Sequence, residues 1–137
     1  MGTTTYSGPL RAGPKGVTAG TVKLVTLIAF DPTQASAASG FVLPKGSMIL
    51  GVTSLGGATG GTNPTVDVGI SGATDSISNE VDADTAGGTG TLGANALVEL
   101  AADTPIWVGV GDSPATGGTT TVAIEYIQVD SKLGVNN

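Results

Sequence analysis

In the stretch NPTVDVGIS, Val66, Val68 and Ile70 alternate with Thr65, Asp67, Gly69 and Ser71. Side chains of a strand point alternately to its two faces, so this run predicts a half-buried strand with Val66, Val68 and Ile70 in the core and a polar face opposite. A sheet with one wet face is antiparallel far more often than parallel. Further apolar runs follow the same period. VKLVTLIAF places Val22, Leu24, Ile28 and Phe30 in one phase and Lys23, Val25, Leu27 and Ala29 in the other. Both of its faces are partly apolar, which suits a strand covered on one side by a second sheet and on the other by a neighbour or an arm. Asp31-Pro32 ends the run and excludes its continuation as a helix.

After a loop of small residues, TQASAASG, the segment Pro44-Lys45-Gly46 carries a tight-turn signature, because proline fixes its own φ and glycine is free to take a positive one. The strand after it reads with Met48, Leu50 and Val52 in one phase, Ser54 in register with them, and Ile49 on the opposite face. Asp75 to Gly93 reads as a long polar connection holding at most short strand pieces. Beyond Pro105, Ile106, Val108 and Val110 point one way and Trp107 the other. The last strand, TTTVAIEYIQVD, changes phase: Val122, Ile124 and Tyr126 share one face, Ile127 and Val129 the other. A bulge or twist near Tyr126, or a strand covered on both faces, accounts for that change.

No run supports a helix of ordinary length, and about seven strands separated by glycine-rich turns predict an all-β fold, an antiparallel β-sandwich or small barrel. Residues 21–137 form its single domain. Residues 1–20 differ: Gly2, Gly8, Pro9, Gly13, Pro14, Gly16 and Gly20 surround isolated Tyr6, Leu10 and Arg11, and regular structure is not expected there. The segment reads either as a frayed tail or as an extended N-terminal arm laid on a neighbour, with Tyr6 and Leu10 as anchors and Arg11 as a polar clasp. Its prolines would lower the entropy cost of ordering it.

Composition narrows the function. Charged residues are 12% of the 137-residue chain, about half the share usual in soluble domains. Either hydroxyl, amide and backbone groups carry the polar surface, or neighbouring subunits cover much of it. The formal charge is −6 and no basic cluster exists, so a nucleic-acid partner is not expected. MGTTTYSGPLRAGPKG has no apolar stretch led by positive charge and is not read as a secretory signal. Tyr6 stands where a myristoylation pattern needs Ser or Thr, and no run is long and apolar enough to span a bilayer; no membrane partner is expected.

Cysteine and histidine are both absent, which removes thiolate chemistry, disulfides and the commonest acid–base group and metal ligand. Without a base for a Ser or Thr nucleophile, and without a G-x-S-x-G elbow or an S-x-x-K pair, the chain is not expected to be an enzyme. Asp67, Glu99 and Glu125 lie opposite apolar phases and could form a carboxylate pair between adjacent strands, although single charges on strand faces also guard a sheet against aggregation. No phosphate loop, dinucleotide fingerprint, zinc cluster or EF-hand spacing occurs, and no cofactor is expected. Asp75, Glu80, Asp82 and Asp84 are the only metal candidates; with Asn79 and backbone carbonyls they could give calcium several oxygens, but the twelve-residue loop and its closing acid are missing.

Two segments carry a resemblance: Leu43, Pro44, Gly46, Ile49 and Val52 in FVLPKGSMILGV, and Pro64, Thr65, Asp67, Val68 and Gly69 in NPTVDVG. Together with YSGPLRAG they resemble small structural proteins of tailed-bacteriophage heads, the capsid decoration or cement proteins. The resemblance implies a jelly-roll-like sandwich, a homotrimer on the outer capsid surface of the virion after assembly in the host cytoplasm, and reinforcement of contacts between capsomers of the major capsid protein. It also implies an extended terminus that touches the shell or a sister subunit. An alternative is a calcium-assisted glycan-binding module of a fibre or surface protein, with the acidic loop and Trp107 as its platform. A filament or surface-layer subunit is a third reading.

Overall fold

The computed structural model describes residues 22–129. They form β1 (Leu24–Phe30), β2 (Ala37–Leu43), β3 (Ser47–Ser54), β4 (Ala58–Thr59), β5 (Thr65–Ile70), β6 (Ala73–Asp82), β7 (Thr91–Leu92), β8 (Thr104–Val110), β9 (Gly117–Gly118) and β10 (Thr120–Gln128). Every pairing among them is antiparallel. A three-stranded sheet runs β1-β10-β3, a five-stranded sheet β2-β8-β5-β6-β7, and β4 and β9 form a short ribbon. The first and last strands of the described chain are thus neighbours, and β8 inserts between β2 and β5. Such long-range crossings between two facing sheets make a jelly-roll-like β-sandwich.

The core is the seam between the two main sheets. Ile28, Ile49, Val52, Val122 and Ile124 come from one sheet and Leu43, Val66, Val68, Ile77, Val81, Ile106 and Val108 from the other. Most are β-branched, so each loses little rotamer freedom on the pleated surface, and each fully buried one contributes roughly 1.5–3 kcal/mol. Phe30, Phe41, Ile70 and Tyr126 close the margins, with the Phe41 and Tyr126 rings tilted at 6.4 Å. The turn expected at Pro44-Lys45-Gly46 is present: Ser47 N–H donates to Pro44 O at 3.1 Å, and Gly46 has φ 89°.

Three expectations are corrected. The face assignment of β3 fails at its start, since Ile49 is buried in the core while Met48 and Leu50 are only half-buried. Tyr126 pairs with Ile49 and Glu125 with Gly51, which leaves Leu50 as an extra residue and switches the phase. The bulge anticipated near Tyr126 therefore exists, but the inserted residue sits on the partner strand. The loop TQASAASG is also too long as read, because β2 begins at Ala37 inside it; a register shift between Ala38 and Val42 accommodates Gly40 at φ 88°.

The largest correction concerns the polar connection from Asp75. Ala73–Asp82 is a ten-residue strand, joined to β5 by the two-residue turn Ser71-Gly72. Val81 pairs with Val66 and Ser78 with Val68, so Asn79 and Glu80 together face Asp67 alone. Glu80 takes φ 57° at this bulge, a left-handed conformation that is rare outside glycine. A second irregularity brings the Ala73–Thr74 backbone across Gly69, where an added Cβ would lie 2.3 Å from Ala73 O. Only a residue without a side chain fits there.

Candidate interaction surfaces

The arm residues Tyr6, Leu10 and Arg11 lie outside the described residues. Val66 and Val68 are fully buried, and Ile70 packs against the same core from its margin. These three hold β5 in the sandwich, and the outward residues between them carry the polar chemistry.

That chemistry centres on Asp67. Its Oδ1 accepts the Glu80 backbone N–H at 2.8 Å, and the Glu80 carboxylate accepts the Thr65 hydroxyl at 2.5 Å and the Asp112 N–H at 2.6 Å. The left-handed Glu80 is thereby fastened on both sides, to β5 through Thr65 and to the loop after β8 through Asp112. Burial raises the pKa of Asp67, its hydrogen bond from Glu80 opposes the shift, and the charges of Glu80, Asp75 and Asp112 add to it. Asp67 and Asp112 were absent from the acids singled out as metal candidates. The signal for Asp67 was its place in a clean alternation; Asp112 comes near only through long-range pairing of β5 with β8.

The metal candidates do not converge. Asp82 Oδ1 accepts the N–H groups of Asp84 and Thr85, both at 3.2 Å, and Asp84 accepts the Thr85 hydroxyl at 2.9 Å. Those carboxylates shape the turn that leaves β6. Asp75 is exposed earlier on the strand. Among the described residues no three acidic side chains are gathered in a way that could hold a metal ion. Trp107, half-buried in β8, pairs with Ala38 on one side and Gly69 on the other, so it sits mid-sheet rather than beside the Asp82–Asp84 turn. The carboxylate pair suggested for glycoside chemistry is likewise separated: Asp67 belongs to the five-stranded sheet, Glu125 to the three-stranded one, and Glu99 bridges to Met48 at the edge of β3.

Apolar surface is more prominent than acidic clusters. Val25 is 54% and Leu27 61% exposed on the outer side of β1. Val25 pairs with Glu125, Leu27 with Ala123 and Ala29 with Thr121, and Glu125 and Ala123 in turn face Gly51 and Thr53. Small residues thus leave a low, mostly apolar platform, with one exposed ion pair, Lys23–Glu125 at 3.5 Å, at its end. Such a pair contributes little to stability. Leu97 and Val98 are also exposed, where their segment meets the edge of β3.

The two edges of the three-stranded sheet differ. Residues 97–100 run along the start of β3, with Leu97 N–H donating to Ile49 O at 2.9 Å and Leu100 N–H to Ser47 O at 2.8 Å. Gly87 and Gly88 seal its other end by bonds with Ser54 at 2.7 and 2.8 Å. β1 pairs with β10 alone among the described strands, so none of them hydrogen-bonds its other edge.

Neither a protein-family model nor a curated protein matches the sequence. A solved structure does match: a chain of the cyanophage Pam1 capsid asymmetric unit superposes with a TM-score of 0.58 and 21% identity, over 85% of this chain and 92% of that one. The likeness spans both sheets, and it establishes a shared all-β sandwich fold.

Proposed function

We propose that this protein is a non-enzymatic structural component of a bacteriophage head, bound to the outer capsid surface and stabilising contacts between capsomers of the major capsid protein. The observation that carries the proposal is the shared fold with a chain of a phage capsid asymmetric unit, nearly end to end in both chains. The surface chemistry supports it. An exterior with few charges and an apolar platform on β1 offers area that can be covered without stripping water from many ions. On a repeating shell each contact can be weak, because neighbouring attachments raise its effective concentration.

The protein acts in this reading as a clamp whose rigidity comes from the sandwich. It works as a homotrimer on the virion exterior, and closed symmetry gives its unpaired edges a partner. Asp67 and Glu80 are engaged in the bulge of β6 and Asp82 and Asp84 in the turn that leaves it.

The test is to mix the purified chain with heads that lack it. Saturable co-sedimentation and a higher disruption temperature of the heads are expected. Protein left wholly in the supernatant, with head stability unchanged, contradicts the proposal.

A further inference from the structure

We infer that β1 pairs with the β1 of a second copy, antiparallel and edge to edge, with Leu27 on the two-fold axis and Lys23 of each copy facing Asp31 of the other. The inference concerns the free protein and does not rest on the capsid reading. A contact that uses the same surface on both sides has two-fold symmetry, so it cannot lie within a three-fold ring and joins copies in addition to any such ring.

Among the edges of the two main sheets, β1 is the one built to accept another strand. Its seven residues pair with β10 without a register shift, and none of the described strands hydrogen-bonds its other edge. Val25 and Leu27 are 54% and 61% exposed. A long, regular, apolar edge is a template for another chain, and proteins that avoid such pairing bulge the edge, shorten it or cover it. The other edges carry those devices. β2 is interrupted between Ala38 and Val42, with Gly40 at φ 88°; β7 has two residues; and residues 97–100 run along the start of β3.

The sequence of β1 selects a second copy as the occupant. Leu27 is the middle residue of Leu24–Phe30, and Lys23 and Asp31 flank the strand at equal distances from it. Antiparallel pairing about Leu27 therefore sets Lys23 opposite Asp31, Val25 opposite Ala29 and Leu27 opposite itself, all on one face, because directly opposed residues project to the same side. Sliding one strand by two residues in either direction sets Lys23 opposite Ala29 or Thr33 and gives up both charge pairs. A slide of one residue turns the two apolar faces to opposite sides of the joined sheet. Charge matters here because residues 22–129 contain ten acids against Lys23 and Lys45, so two copies repel except where a base meets an acid. Lys23 is free to turn outward: its side chain is 53% exposed and its bond to Glu125 is long, at 3.5 Å. The result is a six-stranded sheet, β3-β10-β1 of one copy continued by β1-β10-β3 of the other, with the two apolar platforms merged.

The absence of cysteine makes the test clean. Leu27→Cys, Val25→Cys, Ala29→Cys and Thr91→Cys variants of the full chain are oxidised mildly without heads present, well below their unfolding midpoints, and the disulfide-linked dimers are timed. Directly opposed Cβ atoms lie about 4.5–5.5 Å apart, near the range that a disulfide spans. Leu27→Cys is therefore expected to dimerise at least about tenfold faster than Thr91→Cys, which is exposed on the other sheet, because pairing raises the local concentration. A mixture of Val25→Cys and Ala29→Cys copies, distinguished by mass tags, should give mostly the mixed dimer. Adding Lys23→Glu to the Leu27→Cys chain should slow its cross-link, and adding Asp31→Lys to that variant should restore it, since the reversed charges pair again. Three results overturn the inference: Leu27→Cys dimerising no faster than Thr91→Cys, as when any other segment occupies the edge; like dimers of Val25→Cys or Ala29→Cys outnumbering the mixed one; or no restoration by the charge reversal. Because heads are absent, failure here leaves the co-sedimentation result to stand or fall separately.

Discussion

Asp31 and Asp67 show how neighbours set opposite signs for the same side chain. The Thr33 hydroxyl and N–H bond the Asp31 carboxylate, at 2.7 and 2.9 Å, and lower its pKa; the stability they lend is present above the ordinary value and fades as pH falls through the lowered one. Asp67 is raised instead, mainly by burial. Its folded form holds the proton more tightly than the unfolded chain, so its contribution is most favourable below pH 3.8 and is lost as pH rises through the raised value. Asp67→Asn keeps an acceptor for the Glu80 N–H and removes the charge. It should raise the thermal midpoint at pH 7 slightly, with the gain shrinking at pH 3; a lower midpoint at pH 7 would show the carboxylate to be needed as a charge.

Glycine positions give a second contrast. A Cβ at Gly109 would lie 2.3 Å from Ser36 Cα, against backbone that cannot rotate away, whereas Gly72 has open space and only a φ of +80°. Gly109→Ala should cost about 1–3 kcal/mol through overpacking, and Gly72→Ala about 1–2 kcal/mol through its left-handed backbone. Chemical denaturation orders them, and the crowding account requires the Gly109 change to be at least as costly. Ile124→Ala, at a fully buried core position, should cost about 2–5 kcal/mol.

Among the elements, β5 and β8 were legible because their apolar residues alternate without interruption. β3 and β6 were misread for one physical reason: a bulge changes which face a residue occupies, and nothing local in MILGV or SISNEV marks the residue to be skipped. Leu50 looks like a core residue by its side chain, yet the pairing of Ile49 with Tyr126 displaces it. In β6 the buried Ser78 and the left-handed Glu80 fall between its two large apolar residues, Ile77 and Val81. The bonds that fix that bulge come from Thr65 and Asp112, thirty-two positions away in the latter case, and are invisible to a local window. The acidic run therefore reads as a loop and its residues as candidate ligands, whereas Glu80 fastens a strand bulge and Asp82 and Asp84 shape the turn after it. A deletion experiment tests the bulge. Removing Leu50 should leave Ile49, Gly51 and Val52 on their present faces and a folded protein. Removing Thr53 should turn part of β3 over, expose a core residue and cost more than about 2 kcal/mol. Equal loss of folding by the two deletions would contradict the assigned register.

For the molecule as a whole, the division of labour is between a sandwich built from β-branched residues and a surface on which β1 exposes Val25 and Leu27 and has one edge that no described strand hydrogen-bonds. The fold class was readable in advance from strand spacing and turn chemistry. The open edge was not, because β1 and β10 come from the two ends of the chain and only their pairing decides which side of β1 is left. The same platform serves the capsid proposal as a place for contacts. The central claim, a position on the outside of a phage head, is tested most directly by a three-dimensional image of native heads compared with heads lacking this protein. Difference density on the outer surface that accepts the two-sheet sandwich and bridges adjacent capsomers is the expected result; identical outer surfaces, with this chain found elsewhere in the particle or not in it, would contradict the account.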